Sequence, residues 1–313
     1  KKLRKNSTKN IPLLTRASEK LTAVKHCNEK DIWVLVHRID SNAFYAYLVT
    51  QSGISSPVIS YVGTVISKLD YTIGYLKASP DGSRIAAAHW EMKGGSGGII
   101  DLLDFDNSSG VVSNPVSFDA FYSGVYGIEF SPDKSKLYTT LSGIGKLHQY
   151  NLLAGSATAI KNSETEVGRG DGAIQLGPDG RIYVANQYGY PDYLGIIKNP
   201  NETGLKCNYN DTALYLGGKK AVVGLPGFIS SYFFKNDIKS EKICFSDSTA
   251  FSLFSSAYTD SIFWDFGDPL SGNMNTSEDI NATHVFSDTG EYNIEVYKYS
   301  KCGSDTLTKK IYI

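Results

Sequence analysis

Ser79-Pro80-Asp81-Gly82-Ser83-Arg84-Ile85 decides the fold, because the phrase comes back. It returns 52 residues later as Ser131-Pro132-Asp133-Lys134-Ser135-Lys136-Leu137, and 46 residues after that as Gly177-Pro178-Asp179-Gly180-Arg181-Ile182. A degenerate copy, Cys27-Asn28-Glu29-Lys30-Asp31-Ile32-Trp33, stands 52 residues ahead of the first. Proline presets φ, glycine accepts φ > 0 and aspartate bonds its own backbone, so Pro-Asp-Gly specifies a tight turn. Apolar residues flank every copy. A period of this length built from strands and turns points to the blades of a β-propeller, where each sheet buries its faces against its neighbours.

Each repeat reads as four short strands, with repeats at 21–68, 69–122, 123–169 and 170–220. Residues 1–20 read as the outer strand of an earlier blade, and 221–234 as a strand that closes the ring. No long 3.6-residue period appears, so helix content is expected to be low. Four blades with two orphan ends suggest a six- or seven-bladed ring lacking its N-terminal blades. An open arc would leave apolar faces bare at a cost of about 25 cal/mol per Å². The missing N-terminal propeller segment is therefore an expected partner, and a closed four-bladed ring is the alternative.

Composition shifts near residue 235. Residues 236–313 carry 12 acidic and 6 basic side chains, a net of −6, against +5 for residues 1–235 with 25 basic and 20 acidic. The expected domains are a propeller at 1–235 and a second unit at 236–313. Ser261-Ile262-Phe263-Trp264-Asp265-Phe266-Gly267-Asp268 and His284-Val285-Phe286-Ser287-Asp288-Thr289-Gly290-Glu291-Tyr292-Asn293-Ile294-Glu295-Val296 alternate as the strands of an immunoglobulin-like sandwich. Trp-Asp-Phe-Gly-Asp followed by His-x-Phe-x-x-x-Gly-x-Tyr-x-Ile-x-Val resembles a PKD domain. That resemblance implies a core of Trp264 and Tyr292 and a turn of Asp265, Gly267 and Asp268.

The propeller half also carries a resemblance. Glu19–His26, Phe44–Val49, Tyr150–Ser156 and Leu225-Pro226-Gly227-Phe228-Ile229 are similar to the propeller-plus-PKD region of Bacteroidota surface proteins. Those proteins typically end in a gliding-motility-associated, type B sorting domain of the type IX secretion system. The resemblance implies an extracellular or outer-membrane-associated location in a Gram-negative bacterium. Asp-(Ser/Thr) sites at Thr212, Ser261, Thr306 and Ser248 are similar to the O-glycosylation sequon of exported Bacteroidota proteins.

The net charge of −1 gives no electrostatic reason to expect nucleic acid. Lys1, Lys2, Arg4, Lys5 and Lys9 form a basic stretch that reads as a solvated or protease-sensitive loop. No apolar run reaches membrane-spanning length. Cys244 and Cys302 bracket the second unit and are expected to form a disulfide, with Cys27 and Cys207 as free thiols.

Motifs for catalysis are absent. None of His26, His37, His89, His148 and His284 stands at zinc spacing, and no nucleophile elbow or phosphate loop is present. No metal or cofactor is called for. Two residues before each turn phrase stand Lys25, Lys77, Glu129 and Gln175, a candidate polar ring facing the channel. Tyr188, Tyr190 and Tyr193 form a candidate aromatic rim contact, suited to a protein or a surface glycan. The expected function is non-enzymatic: an all-β secreted or surface protein whose propeller binds protein or glycan, as adhesin or type IX cargo, with the PKD unit as spacer. The alternatives are a subunit docked on the type IX outer-membrane machinery, and a lactonase- or lyase-like propeller enzyme with a site at the channel mouth.

Overall fold

The computed structural model describes residues 12–91, 97–122, 124–187, 189–233, 236–254 and 259–313. The chain is all-β, 48% strand and 9% helix, with a β-propeller-like architecture. The basic stretch at residues 1–9 lies outside the described residues.

Four antiparallel sheets follow the four repeats. The first holds β1 (Ala17–Lys25), β2 (Ile32–Arg38) and β3 (Ala43–Thr50), with β4 (Gly53–Ile54) and β5 (Val58–Tyr61) both pairing β3. The second is β6 (Leu76–Ala78), β7 (Arg84–His89), β8 (Ile99–Asp106) and β9 (Val111–Asp119). The third is β10 (Val125–Phe130), β11 (Lys136–Leu141), β12 (Lys146–Asn151) and β13 (Thr165–Gly168), with α1 (Ala157–Asn162) before its last strand. The fourth is β14 (Ile174–Leu176), β15 (Ile182–Ala185), β16 (Tyr193–Ile197) and β17 (Tyr209–Tyr215).

The sheets stack like blades. Val24, Trp33, Leu35 and Phe44 of the first meet Leu76, Ile85, Leu103 and Phe105 of the second. Ala86, Ile100, Leu102 and Phe118 meet Ile128, Phe130, Leu137 and Tyr150 of the third. Tyr138, Leu147 and Val167 meet Ile174, Ile182 and Ile197 of the fourth. Sheets buried on both faces need continuous apolar strands, which is why β7 reads Arg84-Ile85-Ala86-Ala87-Ala88. The innermost strands β1, β6, β10 and β14 lie side by side in that order.

The turn phrase has one geometry in its first two full copies. Ser79 N donates to Arg84 O while Gly82 N donates to Ser79 O, and Ser131, Lys136 and Lys134 repeat the pattern. In the degenerate copy the equivalent bonds are His26 N to Asp31 O and Glu29 N to His26 O. His26, not Cys27, therefore stands where Ser79 stands, and the expected alignment is off by one residue. The side chains agree: Asp81, Asp133 and Asp179 accept from the amide two residues on, and Asn28 does so for Lys30 at 3.0 Å. The left-handed position is Gly82, Lys134, Gly180 and Glu29 in turn.

Both end-strand expectations are corrected. Residues 17–20 belong to β1, not to a strand of an earlier blade, and Lys20 anchors them by donating to Tyr71 O at 2.7 Å and Ile73 O at 2.8 Å. Residues 221–233 form no strand; they cross from the fourth blade to the first as coil with a 3-10 turn at Ser230–Tyr232. Val223 O accepts from Ala173 N at 2.7 Å, and Phe228 and Ile229 lie beside Leu21 and Ala23. Pro226 has no N–H for a ladder, and Gly224 and Gly227 flank it.

The second unit has two antiparallel sheets. One orders β18 (Asp237–Glu241), β19 (Thr249–Phe254) and β22 (Asn281–His284). The other orders β21 (Thr276–Ser277), β20 (Ser261–Asp265), β23 (Glu291–Ser300) and β24 (Gly303–Tyr312). Ile238, Phe251 and Ala282 of the first share one core with Trp264, Ile294, Val296 and Ile311 of the second.

The expected Cys244–Cys302 disulfide is corrected. Cys302, at the tip of the β23–β24 hairpin, bonds Cys27, and Cys244 is an exposed free thiol. Cys207 is free, as expected, and it is buried. The one-residue offset places Cys27 at the proline position of its turn, and there the hairpin tip meets it. Beside the bridge, Lys301 Nζ lies 2.6 Å from Asp106 of the second blade.

Candidate active site at the mouth of the propeller

Three of the four candidate ring residues come together. Lys77 Nζ donates to Glu129 Oε2 at 3.1 Å and to Gln175 Oε1 at 2.5 Å. Glu129, with no exposed surface, also accepts from Leu176 N at 3.0 Å and Phe130 N at 3.1 Å. Lys25 does not join them. The offset puts Val24 at the position of Lys77, since Val24 pairs Trp33 as Lys77 pairs Ala86. Lys25 instead sits 4.0 Å from Glu29 and over the Tyr232 ring. The trio is buried and internally satisfied, so it braces three blades and offers no open ligand position.

A more open site lies at the other end of the blades from the turn phrases. A cleft of about 730 Å³ is lined by Trp90 after β7, the Ser142–Gly145 turn after β11, Arg169–Asp171 between β13 and β14, and Asn186, Gly189 and Tyr190 after β15. Asp171 is 3% exposed, and its Oδ1 accepts from Gln187 N at 2.8 Å. Gly170 and Gly172 flank it. A Cβ at either would lie 2.9 Å from Val184 or Ala185, so only glycine lets this segment lie against β15 and aim Asp171.

Arg169 is exposed and makes no ion pair among the described residues. Its carbonyl accepts from the Tyr209 hydroxyl, whose pKa burial pushes far up, which keeps that hydroxyl a donor. Lys146 and Glu166 pair at 2.5 Å along the cleft wall, the Glu166 side chain holding the Lys146 pKa up. Trp90 and Tyr190 supply aromatic surface. The cleft thus combines an unpaired guanidinium, a buried carboxylate and two rings. Chemically such a set suits a negatively charged, hydroxyl-bearing molecule: guanidinium for an anion, carboxylate for hydroxyls or a water proton, rings for C–H faces.

Among the rim tyrosines, Tyr190 lines this cleft, Tyr193 opens β16 with its ring 5.2 Å from Tyr215, and Tyr188 lies outside the described residues. Thr212 sits half-buried in β17, with Asn210 accepting from its amide; Ser261, Thr306 and Ser248 are exposed. Sequence reading passed over Arg169 and Asp171. The signal was the glycine alternation Gly168-Arg169-Gly170-Asp171-Gly172, which presents two charged side chains from a backbone too tight for others.

No family model and no curated protein matches the chain. Solved structures do align with it. One from Desulfotomaculum acetoxidans, of unknown function, is 14% identical and covers 96% of this chain and 86% of its own, at a TM-score of 0.43. The periplasmic gluconolactonase of Pseudomonas aeruginosa is 12% identical over 93% of this chain and 85% of its own, at 0.41. A "putative 6-phosphogluconolactonase" from Bacteroides fragilis is 11% identical over 93% and 83%, at 0.39. The chain spans about half the length of two others, Kuenenia stuttgartiensis hydrazine synthase (57%) and a Lactobacillus plantarum protein (49%). The activities are those proteins' own. The expectation of a chain without enzymatic function stands against these names, since lactonase structures are among the matches that span most of it.

Proposed function

We propose that the chain is a propeller hydrolase acting on a sugar acid or its lactone at the mouth cleft. The observation that carries this is one cleft lined by the buried carboxylate of Asp171, the exposed guanidinium of Arg169 and the rings of Trp90 and Tyr190. In the reaction a water oxygen bonds the lactone carbonyl carbon while Asp171 takes the water proton. The carbonyl–ring-oxygen bond then breaks, and the ring oxygen takes that proton back, leaving the open hydroxy acid. Arg169 holds the anionic end, and Trp90 and Tyr190 orient the ring.

The test is hydrolysis of glucono-δ-lactone and 6-phosphoglucono-δ-lactone above the spontaneous rate. Asp171→Asn should lower kcat by roughly 10²–10⁴-fold, the range for a general base. Arg169→Ala should raise KM for the charged lactone more than for the neutral one. A wild-type rate equal to that of Asp171→Asn on every lactone would overturn the reading.

We also infer that the chain works outside the cytoplasm, as a Bacteroidota surface protein with a PKD unit at 236–313, exported as type IX cargo or docked on that machinery. The Cys27–Cys302 bridge favours an oxidising compartment. In the second unit, Trp264 is fully buried and the Tyr292 hydroxyl bonds Asp288 O at 2.9 Å, a corner contact of immunoglobulin-like sandwiches. Release of the protein by protease from intact cells would support this; protection in intact cells with release only on lysis would defeat it.

A further inference from the structure

We infer that the mouth cleft is the inner end of a longer groove, and that its ligand is an anionic oligosaccharide built on uronic acids. This rests on the reading of the cleft as a sugar-acid site. Beyond Lys146, which lines the cleft, the link between β9 and β10 presents two large rings to solvent: Phe121 is 58% exposed and Tyr122 44%.

The backbone under these rings is pinned. Phe121 N donates to Glu164 Oε2 at 3.3 Å, Gly98 N donates to Tyr122 O at 3.3 Å, and the Tyr122 ring stands edge-on to His148. Neither ring is a core side chain left out by a loose loop. Each carries an ammonium: Lys146 Nζ lies 5.2 Å over Tyr122 and Lys161 Nζ 5.2 Å over Phe121. From Arg169 outward the order is guanidinium, the Lys146 ammonium with its partner Glu166, ring, ring, ammonium.

That alternation fits a chain of acidic sugars. Each ring takes the C–H face of one sugar; Arg169 and Lys161 take carboxylates, and at Lys146 a sugar carboxylate displaces the exposed Glu166. Exposed cation–π contacts are weak enough to be shared with such a ligand. A neutral glycan would leave Arg169 and Lys161 unused, and a lone monosaccharide would leave both rings bare.

Calorimetric titration with galacturonate and tetragalacturonate tests this. Tetragalacturonate should bind wild type at least tenfold tighter than galacturonate. The double variant Phe121→Ala/Tyr122→Ala should lose about tenfold for the tetramer and nothing for the monomer, while Arg169→Ala weakens both. Both substituted rings are exposed, so an unchanged melting temperature is expected. If the double variant binds the tetramer as wild type does, the groove is overturned and the cleft reading stands. If cellotetraose binds as tightly as tetragalacturonate, the anionic assignment is overturned. If neither uronate binds wild type, the groove falls, and the lactone assay decides the cleft reading separately.

Discussion

Glu129 has no exposed surface and meets Lys77, Phe130 N and Leu176 N, so it ties β10 to both neighbouring inner strands. Removing it strands a lysine among packed blades. Glu129→Ala is expected to destabilise by about 3–5 kcal/mol in urea unfolding, whereas Lys77→Met/Glu129→Leu should stay much nearer wild type. A second buried group sets the acid response. His37 is held at a pKa of about 4, first by burial and then by its neighbour His89, with Lys20 and Asp101 also facing it. The unfolded chain protonates His37 near 6.5, so between pH 6.5 and 4 the unfolded state binds more protons and acidification costs stability. The full effect is about 3 kcal/mol. His37→Gln should flatten the stability curve across that window, as read by melting temperature against pH. Lys20, lowered to about 7 by burial, makes stability rise with pH between about 7 and 10.5 in the same sense.

At the scale of the element, the turn was legible because it is local: three copies of one phrase and the strands beside them lie within a few residues. The fourth copy was legible as a turn but misread by one residue, since Asn28 and Glu29 stand in for aspartate and glycine and no proline marks the register. That single step turned Val24 into Lys25 in the expected ring. Lys134 shows the same substitution for glycine. It occupies the left-handed position at φ +64°, where glycine is at ease, and its Nζ reaches Asp81 of the preceding blade at 2.5 Å. Lys134→Gly relieves about 1 kcal/mol of backbone strain and loses a contact of similar size, so its stability should fall within about 1 kcal/mol of wild type. Lys134→Ala keeps the strain and loses the contact, and should be the weaker of the two in the same denaturation series. The crossing segment at 221–233 was misread because its apolar residues resemble a strand, while Pro226 and its glycines forbid a ladder.

At the scale of the molecule, the four described blades were readable from the period, but the mouth cleft was not. Its residues come from four loops spread between Trp90 and Tyr190, and only the stacking of blades brings them together. The cysteine pairing failed for a related reason: it depends on how one unit meets another, which no local pattern encodes. Cys302→Ser should lower stability by roughly 2–5 kcal/mol, and non-reducing peptide mapping should recover a Cys27–Cys302 peptide. The bridge also decides where tension goes. A pull between the ends of the described chain passes from the first blade's turn straight into the last hairpin, skipping the loop between cysteines 275 positions apart. Blades two to four and the mouth cleft then bear no load. Stretching a single oxidised molecule should release only its short tails, and adding reductant should free roughly 900–1,000 Å more. A protein that is dragged or tugged could so keep its binding end slack and intact.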